Sequence, residues 1–209
     1  MTIGIGVLVS GSGSNFEAIA RAVQDGRIPE AEVRLVISNR PGVGALDRAK
    51  DLGVESLVLD PALFPDRKAY SMKIASEFRK KGVSLVCLAG FLLKVESGLI
   101  QQYPGRILNI HPSLLPKHAG RGMFGHRVHE SVLGERETES GCTVHVVDEE
   151  YDHGPVLMQA RVPVLPGDTP ETLAARVLKE EHRIYPLVVG RLVEQIRKEG
   201  NTSGRSGRG

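Results

Sequence analysis

IGIGVLV, residues 3–9, is an uncharged apolar run, and SGSGSN, residues 10–15, follows it at once. A continuous apolar run of this length reads as a strand buried on both faces, the mark of a parallel sheet. The glycines and serines then turn the chain, and Phe16, Ile19, Ala20 and Val23 recur at helical spacing. The same order of strand, turn and helix repeats downstream. Residues 32–38 and 55–59 read as strands around a helix that holds Asp47 and ends near Gly53. A charged helix over 67–81, a strand over 83–88, a polar helix near 95–102 and a strand over 106–111 complete the series. This alternation predicts an α/β fold, a mostly parallel Rossmann-like sheet with helices on both faces. Ligands of such sheets sit at the carboxyl ends of the strands, here just after Val9, Ser38, Ala89 and Ile110.

The second half changes character. Residues 142–148 and 155–164 read as two strands joined by a Gly/Asp turn, expected to pair antiparallel at the end of the sheet. Helices over 169–182 and 185–197 close a single domain spanning 1–198. Residues 199–209 are expected to be a disordered tail, because the closing NTSGRSGRG has no apolar side chain.

Composition narrows the function classes. The chain has 209 residues, 41% hydrophobic, with 4% aromatic and no Trp, so the core must be aliphatic. A formal net charge of +2, from 27 basic and 25 acidic residues, argues against a long polyanion partner such as a nucleic acid, which usually needs a clustered basic stripe, though it allows one phosphate. Cys87 and Cys142 lie in apolar runs and read as small hydrophobes. No CxxC or HExxH occurs, and no metal is expected. The N-terminal apolar run is too short to span a membrane and has no basic leader, so a cytoplasmic protein without a membrane partner is expected.

Three segments carry candidate chemistry. In SGSGSN, glycine backbone and the start of a helix together suit an anion. The GKS/T ending of a P-loop is missing, GxGxxG is broken at Phe16, and Asn39-Arg40 replaces the acid of a dinucleotide site, which argues against NAD. In NIHPSLLP, residues 109–116, Asn109 and His111 are two apart on a strand and share a face. An amide beside an imidazole suits the stabilisation of an oxyanion. In DEEYDHGP, residues 148–155, four carboxylates fall within five residues, and Gly154-Pro155 fixes the exit of the turn. Such a run is commonly a solvated turn, but a carboxylate placed there can also orient and charge a histidine from another strand.

Together these segments resemble the phosphoribosylglycinamide formyltransferases over roughly residues 3–198. Asn109-Ile110-His111-Pro112-Ser113-Leu114-Leu115-Pro116 followed by Asp152-x-Gly154-Pro155 is the pattern of the wider formyltransferase superfamily. Ser10-Gly11-x-Gly13-Ser14-Asn15 and Glu181-His182-x-Ile184-Tyr185-Pro186 narrow it to the glycinamide ribonucleotide branch. The resemblance implies formyl transfer from 10-formyltetrahydrofolate to the amine of glycinamide ribonucleotide, with Asn109, His111 and Asp152 as the catalytic trio. It implies that Ser12, Gly13, Ser14 and Asn15 hold the ribonucleotide phosphate and Glu181 the ribose. It puts Arg67, Phe91, Leu92, Leu93 and Val95 on the folate side, together with Val147, Asp148, Glu149 and Glu150. Leu93 stands where some members have Arg, and the loop Gly120 to His126 is longer than in some. His145 falls beside His111 in a supporting role. His129 is placed at the start of a helix, structural or at the rim, while His118, His126, His153 and His182 are read as surface or loop residues. The implied partners are the two small molecules, with the chain a monomer or homodimer. Two rivals share the trio, formyltetrahydrofolate hydrolase and a formyltransferase of methionyl-tRNA type. Both are expected to need an additional domain, which this length does not provide.

Overall fold

The computed structural model describes residues 2–203, with side chains to residue 200. Seven strands form one sheet in the order β3-β2-β1-β4-β5-β6-β7. They are β1 (Ile3–Val9), β2 (Ala31–Ser38), β3 (Ser56–Val58), β4 (Val83–Leu88), β5 (Ile107–His111), β6 (Glu139–Val146) and β7 (Val156–Pro163). The first five pair in parallel, and β6 and β7 add antiparallel at one edge. Helices α1 (Ser14–Gln24), α2 (Gly44–Asp51), α3 (Arg67–Lys80), α4 (Ser97–Ile100), α5 (His126–Gly134) and α6 (Pro170–Ser203) cover the sheet.

Alternation along β1 shows why the strand is apolar throughout. Ile3, Ile5, Val7 and Val9 point into a core shared with Phe16 and Ile19 of α1, Ala45 of α2, and Tyr185 and Val189 of α6. Leu8 points to the other face, where Ile74 and Phe78 of α3 and Leu99 of α4 pack. A strand sandwiched in this way has no face on which a polar residue would be solvated.

Chain direction reverses its progress through the sheet at β1 and β4, and the crevice beyond their carboxyl ends is where a ligand site forms in such folds. The two loops that leave these strands are tied together there, since Leu92 N–H donates to Ser10 Oγ at 3.0 Å.

The closing element departs from expectation. In place of two helices, α6 is one helix of 34 residues with Pro186 inside it, about 51 Å long at helical rise. Pro186 leaves the carbonyl of His182 without its helical donor, a cost of roughly 3 kcal/mol. The turns on both sides are held by burial: Ile184, Tyr185, Val188 and Val189 are all in the core. Tyr185 Oη also lies 3.0 Å from both Leu88 O and Leu108 O, pinning this point of the helix to β4 and β5. Of the tail expected over 199–209, the helix takes in residues up to Ser203, and the rest lies outside the described residues.

Candidate active site

The site grows out of one register. β5 and β6 pair so that Asn109 stands opposite His145, and His111 opposite Thr143. Directly opposed residues on one face are within side-chain reach, and Asn109 Nδ2 lies 3.1 Å from His145 Nε2. The His145 tautomer follows from its other nitrogen. Nδ1 is 3.0 Å from the Val146 carbonyl, which only accepts, so the proton is on Nδ1 and Nε2 accepts from Asn109. Burial holds the His145 pKa below its ordinary value, keeping the ring neutral.

Asp152 enters from the loop between β6 and β7. Its φ of 53° is left-handed, uncommon for a residue with a side chain. Gly154 explains how the loop holds it: a Cβ there would lie 1.9 Å from the Val146 carbonyl oxygen, so only glycine lets the loop close against the end of β6. Val146 N–H then donates to Pro155 O at 2.9 Å. Asp152 Oδ1 lies 3.5 Å from His111 Nδ1 and 3.4 Å from Asn109 Nδ2, and Oδ2 accepts from Gly120 N–H at 3.1 Å.

His111 is oriented from its far side. Nε2 donates to the His118 carbonyl at 2.9 Å, which fixes a proton there and turns Nδ1 toward Asp152. The loop carrying His118 is anchored by side chains of the antiparallel edge. Thr143 Oγ1 donates to Ser113 O at 2.7 Å and accepts from Leu115 N–H at 3.1 Å, while Gln159 Nε2 donates to Leu115 O at 3.0 Å. The second N–H of Asn109 and the Nδ1 of His111 thus converge on the place occupied by Asp152 Oδ1. The long distances there leave both able to shift to an incoming oxygen.

On the α1 side, Asn15 Nδ2 donates to Glu181 Oε2 of α6 at 2.6 Å. Both residues are buried, and Asn15 Oδ1 has no partner among the described residues. Burial raises the Glu181 pKa, and the Asn15 hydrogen bond only partly opposes it. Gly13, at the N-cap of α1, has φ 78°. A Cβ on it would lie 2.6 Å from Ala45 Cβ, so α1 and α2 approach as closely as they do because this residue is glycine. Arg40 Nε and Arg48 Nε donate to Ser10 O and Ser12 O at 2.7 and 2.9 Å, setting two cations beside the loop.

One cavity of about 400 Å³ joins the two groups. Asn109, His111, Asp152, His145, Asn15 and Glu181 line it, as do Phe91, Leu92, Leu93, Val95, Val147, Asp148 and Glu150. Five expected residues do not. Ser12, Gly13 and Ser14 lie outside its lining, and so does Glu149. Arg67 borders a neighbouring cleft of about 370 Å³ with Glu96 and Arg121, which shares Leu92, Leu93, Lys94 and Tyr151 with the main cavity. Lys94 also lies over the Tyr151 ring, 5.9 Å from its centroid.

Several lining residues were missed from sequence. Met123 and Phe124 come from the loop before α5, His126 from α5, and Ala174 and Leu178 from α6; His129, read as structural or at the rim, also lines the cavity. Ala174, Leu178 and Glu181 are spaced four and three apart, one face of a helix, and that spacing is the signal that would have found them. His129 sits inside α5 rather than at its start, with Nδ1 buried and unpartnered. Burial, with repulsion from His126 and His111, holds its pKa at about 4. His118, read as a surface residue, has its ring buried by the contacts of α5 and the turn after it.

Comparison with known proteins bears on this arrangement. Residues 4–189 match the family described as formyl transferase. The phosphoribosylglycinamide formyltransferase of Escherichia coli (strain K12) is 40% identical over 183 residues, 88% of this chain and 84% of that one. A trifunctional purine biosynthetic protein adenosine-3 of Drosophila pseudoobscura pseudoobscura is 40% identical over 203 residues; the match takes in 93% of this chain but only 14% of that relative's length. Among solved structures, glycinamide ribonucleotide transformylase 1 from Symbiobacterium toebii superposes with a TM-score of 0.88 at 45% identity, covering 93% of this chain and 89% of the other.

Proposed function

Since the chain belongs to the formyl transferase family, among its phosphoribosylglycinamide formyltransferases, we propose that it moves a formyl group from 10-formyltetrahydrofolate to the amine of glycinamide ribonucleotide, a step of purine biosynthesis. The observation that carries this reading is the union, in one cavity, of an oxyanion-type cluster with a buried carboxylate–amide pair.

The chemistry of the cavity lining supports this reading. The wall of Phe91, Leu92, Leu93, Val95 and Val147 is apolar, with the acidic loop 148–152 at its edge, and suits a flat heterocycle with polar edges such as a pterin. Glu181 offers carboxylate oxygens to sugar hydroxyls. The N-terminus of α1, with Arg40 and Arg48 beside it, suits the phosphate. We assign Ser12, Gly13 and Ser14 to that phosphate, on the outer side of Asn15.

In the transfer, the amine nitrogen bonds to the formyl carbon, the bond from that carbon to N10 of the folate breaks, and the amine's proton ends on N10. Negative charge grows on the formyl oxygen meanwhile. His111, protonated on both nitrogens, donates from Nδ1 to that oxygen, and Asn109 donates its second N–H. Each such donor is worth roughly 3–4 kcal/mol of barrier. Asp152 compensates the His111 charge and passes the proton from amine to N10 through water. His145 keeps Asn109 turned to the centre. No covalent enzyme intermediate is needed.

The reading is that of a cytoplasmic enzyme, a monomer or homodimer. Incubating the protein with 10-formyltetrahydrofolate, with and without glycinamide ribonucleotide, tests it. Formyl loss that requires the ribonucleotide supports the reading, and equal loss without it makes the chain a hydrolase.

A further inference from the structure

His118 does two things at once. Its carbonyl holds His111, and its ring enters a separate polar cluster outside the cavity. The ring is 4% exposed. Nδ1 lies 2.8 Å from Ser131 Oγ of α5. Glu135 Oε1 is 3.8 Å from Nδ1, and Glu137 Oε1 is 3.8 Å from Nε2. One donor atom from each of the three residues lies within 4.8 Å of the other two.

Among the described residues the buried Nε2 has no hydrogen-bond partner, and Glu137 Oε1, at 3.8 Å, is too far to supply one. A buried polar atom left in this way is costly, and a cation held between it and the carboxylates would satisfy it.

We propose that His118 Nε2, Glu135 and Glu137 form a binding site for a divalent transition metal of the Zn²⁺ class, separate from the reacting centre. An imidazole nitrogen and two carboxylates are a common donor set for that class. Metal–ligand bonds near 2.1 Å in a tetrahedron put ligand atoms about 3.4 Å apart, so the three donor atoms, which lie within 4.8 Å of one another, must draw in by up to about 1.4 Å, a movement open to the exposed Glu135 side chain. Ser131 plays the outer role usual for a metal-bound histidine, fixing the tautomer through the nitrogen that does not bind. Glu135 caps the end of α5 and Glu137 follows two residues later, so both come from one short turn. Lys117 competes: its Nζ lies 2.6 Å from Glu137 Oε1. Its side chain is 64% exposed, and its ammonium can swing into water when a metal binds.

Lys117 gives the test a sign. Co²⁺ is titrated into the full chain and its visible absorption followed, then Zn²⁺ is added to displace it. One Co²⁺ per chain with intense low-coordinate bands is expected. Glu135→Gln and Glu137→Gln should each weaken binding by more than tenfold, and Ser131→Ala by roughly 10–100-fold. Lys117→Ala should tighten it. Asp152→Asn should leave it unchanged, which separates this site from the imidazoles of the cavity. Failure to bind Co²⁺ overturns the proposal. So does binding that survives both glutamate substitutions, or that Lys117→Ala fails to strengthen. Glu135 and Lys117 are exposed, so those two variants keep the fold and decide the matter even if Glu137→Gln does not.

Discussion

The parallel half of the sheet and its antiparallel edge solve different problems. In the parallel half β1 is apolar and buried along its whole length, and what that half offers a ligand comes from backbone: a left-handed glycine, a helix start and carbonyls tied to Arg40 and Arg48. At the β5–β6–β7 edge the strands bury polar side chains instead, among them His111, Thr143 and His145. Each is satisfied by a partner from another strand or loop. On the proposed reading the first half would bind with structure that the fold needs anyway, while the second holds His111 and Asp152 for the reaction rather than for the fold.

Substitution should divide along that line. The largest effect is expected at His111→Ala, which removes the donor to the developing oxyanion. Turnover should fall roughly 10³-fold while the thermal midpoint stays put or rises, because a site built for reaction carries polar groups the fold does not require. Combining it with Asp152→Asn should cost far less than the product of the two single losses, since the pair acts as a unit. Steady-state kinetics with parallel melts would read both. A large drop in stability for His111→Ala would erase the distinction between the halves.

Glu181→Gln comes next. It should raise KM for the ribonucleotide roughly tenfold, the worth of a charge-assisted hydrogen bond, with kcat little changed. The sign for stability also follows. A folded pKa raised by burial gives a contribution that is present below the ordinary carboxylate value and lost as pH rises through the raised one. Burial penalises the charged carboxylate, so the neutral amide of Glu181→Gln should not melt below wild type at neutral pH. An unchanged KM would remove Glu181 from the ribose.

How much of this was legible in the sequence follows the same division. The strands β1, β2, β4 and β5 could be read because continuous apolar runs mean one thing in a parallel sheet. The antiparallel pairing was legible too, but not its register, and the register is what brings His145 onto Asn109. The contact of Asp152 with both His111 and Asn109 depends on Gly154 closing on Val146, a tertiary fact with no local signal. The helices expected over 169–182 and 185–197 are one, because the burial of Tyr185 and Val189 that carries the helix through Pro186 leaves no local signal. The cavity walls from α6 were missed because Ala174 and Leu178 look like ordinary core residues.

Gly13→Val sharpens the contrast from the other side. It forces a side chain into Ala45 at a left-handed φ, and should cost about 1–3 kcal/mol of stability, seen in denaturant midpoints, together with weaker ribonucleotide binding. In the parallel half, stability and binding should thus fail together. Retained stability with binding lost would show that the glycine serves the ligand alone.

The smallest effect expected is in acid. His129 titrates at about 4 in the folded protein, below the ordinary 6.5. Its neutral form therefore contributes stability that is whole above pH 6.5 and lost as pH falls through about 4. Wild-type melting temperature should decline across that window, and His129→Gln should flatten the decline by a few degrees.

The most direct test of the central claim is kcat for Asp152→Asn in the ribonucleotide-dependent transfer assay. Asparagine can still accept from Gly120 N–H but cannot compensate a charged His111 or carry the proton. The account predicts turnover down by orders of magnitude, with both KM values and the melting temperature close to wild type. Turnover near wild type would make Asp152 a loop residue only, and the proposed proton route wrong.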